Sequence, residues 1–435
     1  MNLPRYSDYK ESEIGWVGEI PQHWNVGKIS KYYDVQLGKM LQPEQSRGSA
    51  LKPYLRSANV LWNTFNLSDV KEMYIEPTEE GQFHIRAGDL LVCEGGDVGR
   101  SAIWGGQIQE CYIQNSLHRI RPKLAKSTNQ YLYYCMFLAN AKGEIERISN
   151  KATIAHYTLV KIKKTKIPIP SVAEQGHISR YLDTKISMIN DVIRKRESQV
   201  SLLREHEKTL IHQAVTKGLD PNTPMKESGV EWMGKIPTDW NIIRVKDLTR
   251  VKRGASPRPI ADQKYFDENG EFGWVRIEDV TASEKYLEKT KEKLSELGAS
   301  LSVKRYPGDL FLSIAGSVGK PIITKIKCCI HDGFVYFPNL KINPEFLQYI
   351  FLTGEPYKGL GKLGTQLNLN TKTVGEIPIA IPKTNSEIEK IIEFISNQDS
   401  KTKQAINNLE REISTLEEYR KSLIYAVVTG KVQVS

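Results

Sequence analysis

With 435 residues, 40% of them hydrophobic, the chain has material for two to four packed domains, and its formal net charge of +10 suits a polyanionic partner. No run approaches the ~18 consecutive apolar residues of a membrane helix, and Met1–Glu13 is polar and acidic rather than a signal peptide, so a cytoplasmic protein that does not enter membranes is expected. Five cysteines, odd in number and without a CxxC, read as reduced, packed thiols, and the scattered histidines form no metal-ligand spacing.

The first signal along the chain is Glu11–Asn25 (ESEIGWVGEIPQHWN), because it returns as Glu227–Asn241 (ESGVEWMGKIPTDWN), 216 positions on. The matches then continue in order. Tyr54-Leu55-Arg56 with Asn59-Val60 answers Trp274-Val275-Arg276 with Asp279-Val280. Gly88-Asp89-Leu90 with Gly96, Val98 and Gly99 answers Gly308-Asp309-Leu310 with Gly316, Val318 and Gly319. Ile167-Pro168-Ile169-Pro170 answers Ile379-Ala380-Ile381-Pro382, and Leu210-Ile211 with Val215-Thr216 answers Leu423-Ile424 with Val428-Thr429. A period this long is a domain, not a solenoid unit of about 20–50 residues. Two copies in one chain imply a pseudo-twofold arrangement whose halves are free to diverge.

Each copy begins with a part rich in Gly, Pro, Tyr and β-branched residues, about 12–170 and 228–382. Asp89–Cys93, Lys166–Pro170 and Phe334–Phe337 read as strands between turn signals, and Asn129–Ala139 and Pro344–Leu352 as helices, giving α+β domains. The period then changes. Leu182, Ile186, Ile189, Ile193, Val200, Leu203, Leu210 and Ala214 follow a 4-3 spacing broken by Arg196 and Glu207. Ile395, Thr402, Ile406, Leu409, Ile413, Leu416, Leu423 and Val427 do the same, broken by Asp399 and Arg420. Such spacing is a coiled-coil seam. It predicts two long helices, about 174–217 and 386–428, each roughly 65 Å at 1.5 Å per residue, pairing antiparallel. The expected segments are 1–170, 171–218, 219–383 and 384–435.

Catalytic motifs are not found. Gly316-Ser317-Val318-Gly319-Lys320 looks like the end of a phosphate-binding loop, but Ile314 stands where its first Gly should be and Pro321 where Ser or Thr should hold Mg²⁺. Asp89 and Glu94 have no closely following Lys for a nuclease centre, and their counterparts are Asp309 and Ile314. A binder is expected. The copies diverge in polar and basic loops, Val35–Pro43 against Val251–Pro259 and 151–156 against 364–368. Such side chains hold phosphates and read base edges. The candidate contacts are Lys39, Arg47, Arg56, Arg100, Thr153 and His156 in the first copy. In the second they are Lys252, Arg253, Ser256, Arg258, Arg276, Lys320, Thr365, Gln366 and Asn368. Arg56 and Arg276 recur in both copies, which a structural role also explains.

The doubled box, the YLR…NV and GDL…GxVG segments, the IPIP-to-helix junction and the terminal Leu-Ile…Val-Thr pair resemble the specificity subunit of type I restriction–modification enzymes. The resemblance covers essentially the whole chain, twice, in the family's order. It implies two target-recognition domains, each reading half of a split site in double-stranded DNA, and helices that act as spacers and dock modification subunits. It also implies a chain without catalysis, in complex with two methyltransferase subunits and two restriction subunits. S-adenosylmethionine, ATP and Mg²⁺ would belong to those partners, with no cofactor in this chain. The readings weighed against it are a coiled-coil scaffold and a self-contained DNA-modifying enzyme.

Overall fold

The repeated tryptophans and the long helices explain each other. A helix leaves its first N–H groups unpaired, and Ser171 Oγ and Thr384 Oγ1 accept from the N–H of Glu174 and Glu387, at 3.3 Å in both. Those two glutamates lie in the first turns of helices Val172–Lys217 and Asn385–Val428. Each also accepts from a fully buried indole: Trp24 Nε1 donates to Glu174 at 3.1 Å and Trp240 Nε1 to Glu387 at 3.0 Å. Burial alone would raise the Glu174 carboxyl, but hydrogen bonds from His23, Ser171 and Trp24 hold it below its usual range. The Ile-Pro-x-x-Trp box is therefore the clamp on a helix start.

The computed structural model describes residues 4–41, 48–123, 127–149, 155–358, 360 and 369–434. They fall into two units, Met1–Arg196 with Arg411–Ser435, and Glu197–Glu410, so each long helix contributes to both.

In unit 1 an antiparallel sheet has the order Ser101–Ile103, Leu90–Cys93, Leu117–Pro122, Tyr33–Leu37. A second sheet runs Lys71–Ile75, Ala50–Leu55, Cys111–Ile113, His84–Ile85, its central pair parallel. Strand Asn25–Lys28 pairs with Lys166–Ile169, closing the head just before its helix begins. Helix Asn129–Ala141 is buried along most of its length, and its Tyr131 hydroxyl donates to the carbonyls of Pro168 and Val428. Residues 423–428 share one core with Trp24, Leu182, Ile189 and Ile193. Gly430, at φ +71°, lies over Trp24, whose Cη2 is 3.1 Å from where a Cβ would be.

Unit 2 repeats this plan. A five-stranded sheet runs Lys252–Arg253, Phe334–Tyr336, Leu310–Ser313, Pro321–Thr324, Tyr286–Leu287, and a four-stranded one Glu292–Leu294, Phe272–Val275, Cys328–Ile330, Val303–Arg305. Asn241–Arg244 pairs with Pro378–Ile381. Helix Pro344–Leu352 has the bounds that its spacing predicts. Ile211, Ala214 and Val215 join Trp240, Ile388, Ile391 and Ile395 in the core, and Gly218, at φ +72°, lies over Trp240. All five cysteines are buried and unpaired.

All ten expected seam positions in each long helix are buried or half-buried. The polar residues that interrupt the seam find partners across it. In unit 1 Arg420 donates to Asn190 at 2.6 Å and Arg196 pairs with Glu412 at 2.9 Å. In unit 2 Arg204 pairs with Glu410 at 3.2 Å, and Glu207 hydrogen-bonds Asp399, which also takes Lys285 at 2.9 Å. Within each unit the numbers fall on one helix as they rise on the other, so the segments run antiparallel. Polar seam residues of this kind fix register where an all-apolar seam could slip by a heptad.

Glu207 and Asp399 cannot both ionise cheaply at hydrogen-bond distance. Burial, reinforced by Asp399, pushes Glu207 up to about 7, while Asp399, despite its own burial, is held low by hydrogen bonds from Glu207 and Lys285. The pair therefore favours one shared proton, and it is Glu207 whose hold on a proton is strengthened. A folded value above the unfolded ~4.3 means this contribution is full below pH ~4.3 and is lost as pH rises through about 7. Glu207→Gln keeps a donor to Asp399 without the titration. Calorimetric melting should show the variant above the parent at pH 8.5 and level with it at pH 4 to 5. Parallel profiles for the two proteins would show that the seam carries no such proton.

Candidate nucleic-acid interface

The described parts of the divergent loops are anchored on a frame that both copies share. Strand Tyr33–Leu37 ends at Gly38, whose N–H donates to Leu117 O at 3.0 Å, and a Cβ there would collide with the Gln114 carbonyl. Gly254 makes the same bond to Phe334 O at 2.9 Å and leaves the same lack of room against His331 O. Only glycine lets backbone approach backbone this closely, which is why it stays while its neighbours change. The Arg…Asn/Asp repeat is a local turn: Asn59 Oδ1 accepts from Arg56 N at 3.0 Å, and Asp279 Oδ2 from Arg276 N at 2.9 Å. The GxVG segments fold back on their strands through Gly99 N to Cys93 O at 3.0 Å and Gly319 N to Ser313 O at 2.8 Å.

Several basic candidates serve this frame. Lys39, only 4% exposed, turns inward to pair with Glu79, so it does not present its ammonium as its sequence position suggests. The physical reason is the parallel bridge between Lys39 and Gln114, which fixes the backbone with the side chain facing the core. Arg56 pairs with Asp69 and Arg276 with Glu292, in line with the structural role that their recurrence suggests. Arg100 donates to Ser57 O at 3.0 Å and pairs with Asp97. Its counterpart Lys320 donates to the carbonyls of Thr281 and Ser283, closing the short helix Ile277–Ala282. Burial lowers the Lys320 ammonium.

Others face solvent. In unit 1, His156 is exposed beside Gly95, and Tyr157 N donates to Glu94 O at 2.8 Å. Burial raises the Glu94 carboxyl, with His156 opposing. Met40 and Leu41 project at 72% and 48% exposure. In unit 2, Lys252, Arg253 and Arg258 are exposed, with Ser256 half-buried beside them. Candidates Arg47, Thr153, Thr365, Gln366 and Asn368 lie outside the described residues.

The hub of each loop end is a tripeptide that the sequence reading passed over. In unit 1 it is Gln114-Asn115-Ser116: Gln114 bridges Asn115 and Ser116 at 2.5 Å each, and Ser116 Oγ accepts from Ser57 N at 3.0 Å. In unit 2 it is His331-Asp332-Gly333. Ser256 Oγ lies 3.1 Å from Asp332 Oδ1, Arg258 3.4 Å from Oδ2, and Arg253 Nε donates to Asp332 O at 2.5 Å. The two tripeptides share no residue, so no repeat betrays them. Their one signal is a polar triple before an apolar strand at matching places in both copies. Among the described residues no three His, Cys, Asp or Glu side chains converge as a metal site. The ends are built of donors and acceptors on a rigid frame, which suits recognition.

A profile of the type I restriction modification DNA specificity domain matches residues 21–202 and again 237–414. The chain is similar to the type I restriction enzyme MjaVIII specificity subunit of Methanocaldococcus jannaschii, 23% identical over 441 residues, covering 95% of this chain and 94% of that one. Among solved structures it is similar to a chain from a study of type I R-M complex assembly and conformational transition, at TM-score 0.72 and 14% identity, covering 94% and 98% of the two chains. The HsdS subunit from Thermoanaerobacter tengcongensis gives TM-score 0.54 at 16% identity, covering 95% and 98%. At these identities the solved structures speak for the fold.

Frame and presented residues should separate in denaturation. Lys320→Met strips two carbonyls of a charged donor and should cost on the order of 1–2 kcal/mol, a charge-assisted bond discounted for partial exposure. Arg258→Ala should stay within about 0.5 kcal/mol of the parent. Equal losses in urea titrations of the two variants would mean that both serve only the fold.

Proposed function

Because the chain belongs to the type I restriction–modification DNA specificity family, we propose that each unit reads one half of a bipartite, asymmetric site in double-stranded DNA. One observation carries the reading: a single frame, fixed by Gly38 and Gly254 and by the Arg56 and Arg276 turns, presents two unlike sets of side chains. Unit 1 offers Met40, Leu41, His156 and the Gln114–Ser116 amides and hydroxyl. Unit 2 offers Arg253, Ser256 and Arg258 around Asp332, and an exposed Lys252. Two unlike loop sets alone would also suit two unlike protein partners, and it is the match to a DNA specificity domain in both copies that favours DNA. The net charge of +10 supplies phosphate affinity that does not depend on sequence, and the loops supply discrimination.

The chain contributes no catalysis in this reading. Two modification subunits would methylate adenine at the site and two restriction subunits would cleave, within the cytoplasm. Those subunits would bring S-adenosylmethionine, ATP and Mg²⁺. The polar seam of the long helices keeps both helices in one register for them to dock on.

The pairing of Asn25–Lys28 with Lys166–Ile169 marks a natural graft boundary that leaves Trp24 and Glu174 in place. Residues 25–169 replaced by the matching segment of a relative, in the full chain with its modification subunits, should change one half of the methylated motif. Long-read sequencing of methylated DNA reads both halves at once. If both change together, or neither does, the two units do not read separately.

A further inference from the structure

The loop Lys252–Pro259 carries exposed charges, yet its backbone is held at several points. Gly254 and Ala255 donate to Phe334 O and Ile330 O at 2.9 and 3.1 Å, Ser302 Oγ donates to Ala255 O at 2.7 Å, and the Tyr265 hydroxyl donates to Arg258 O at 3.0 Å. On this fixed backbone two guanidinium groups meet one residue. Arg253 binds the Asp332 carbonyl through Nε alone, which leaves both of its terminal nitrogens without a hydrogen-bond partner among the described residues. Arg258, 80% exposed, binds the Asp332 carboxylate through one terminal nitrogen. Burial would raise that carboxylate, but Ser256 and Arg253 help to hold it below its usual range, so it stays charged.

An ion pair this open adds little to stability, so the fold does not account for it. It does restrict where two long side chains point. A phosphate also accepts a guanidinium fork, but the mobile point charge of a lysine serves it too, so it does not call for two arginines aimed in advance. A planar fork held in advance suits a planar partner with two acceptors, and on a base edge in the major groove that is guanine, with O6 and N7. Among the described residues unit 1 shows no equivalent: its tripeptide carries Asn115 in place of Asp332, and its loop carries a buried Lys39 and an exposed Met40.

Resting on the reading of unit 2 as a half-site reader, we propose that Arg253 and Arg258, aimed by Asp332, read guanine in the half-site that unit 2 takes. Asp332 is the positioning residue and the arginines make the contact. The half-site of unit 2 then contains guanine. Arg253→Ala or Arg258→Ala relaxes a guanine position by about 5- to 150-fold. Asp332→Ala relaxes the same position without loss of affinity for unrelated duplex, since it removes a negative charge, and Asp332→Asn restores part of the discrimination.

The test uses the full chain assembled with its modification subunits. Methylated-motif sequencing is followed by competition binding to duplexes carrying 7-deazaguanine, which lacks N7, or inosine, which keeps both major-groove acceptors. The first should weaken the parent tenfold or more at that position and the second should not, and the arginine variants should be insensitive to both. The half of the motif read by unit 1 stays unchanged in every variant and reports that the complex is intact. A unit 2 half-site without guanine, or arginine variants that weaken all sequences alike and shallow the salt slope, would overturn the proposal and leave the two-reader function standing. Methylation without any sequence preference in the parent would overturn both.

Discussion

A buried indole N–H held by a carboxylate, made once in each unit, is the contact on which the rest of the architecture depends. Trp24 and Glu174, and Trp240 and Glu387, tie the box that opens each head to the first turn of the helix that leaves it. The carboxylate sits on the turn that Ser171 or Thr384 caps, and it satisfies a ring that would otherwise bury an unpaired donor, at a cost of roughly 1–3 kcal/mol. The same ring is the floor on which the other long helix ends, at Gly430 in unit 1 and Gly218 in unit 2. One aromatic side chain thus fixes a helix start and a helix end together. The β-strand pair beside it, 25–28 with 166–169 or 241–244 with 378–381, sets the head on that platform.

Two kinds of polar group sit on this scaffold and they obey different rules. Those in the helix seam are half-buried, so each demands a partner and repays it in register: Arg420 with Asn190, Arg196 with Glu412, Glu207 with Asp399. Those at the loop ends face water, where a pair is worth little energetically but still restricts direction. The first kind tells the two helices how to lie. The second decides what the chain touches. Lys39 and Lys320 belong to neither group, since both turn their charge onto the frame itself.

Much of the architecture was legible in the residues because it rests on periodicity and repetition. The 216-residue echo, the helix Pro344–Leu352 and the covered 4-3 seam positions all follow from spacing, which is what elements and faces depend on. The loop ends were legible only as regions. Spacing says nothing about which way a loop lysine points, so Lys39 read as a contact although a parallel bridge to Gln114 turns it inward. Repetition is equally blind where function requires the copies to differ. Asp332 gathers Ser256, Arg253 and Arg258, but its counterpart Asn115 looks unrelated, and a search for shared residues passes over both.

Unit 1 is closed by two distant stretches of chain: Gln433 N donates to Pro4 O at 2.7 Å, Tyr9 Oη to Lys431 O at 3.4 Å, and Val427 and Val428 lie in the core beside Trp24. Unit 2 is continuous in sequence. During synthesis the head made first must therefore wait with an incomplete core while the second head, made later, already has every residue it needs. The order of completion is the reverse of the order of translation. Until residues 411–434 arrive, the apolar floor around Trp24 lacks one of its two helices, and a chaperone that shields exposed hydrophobic surface would find it there.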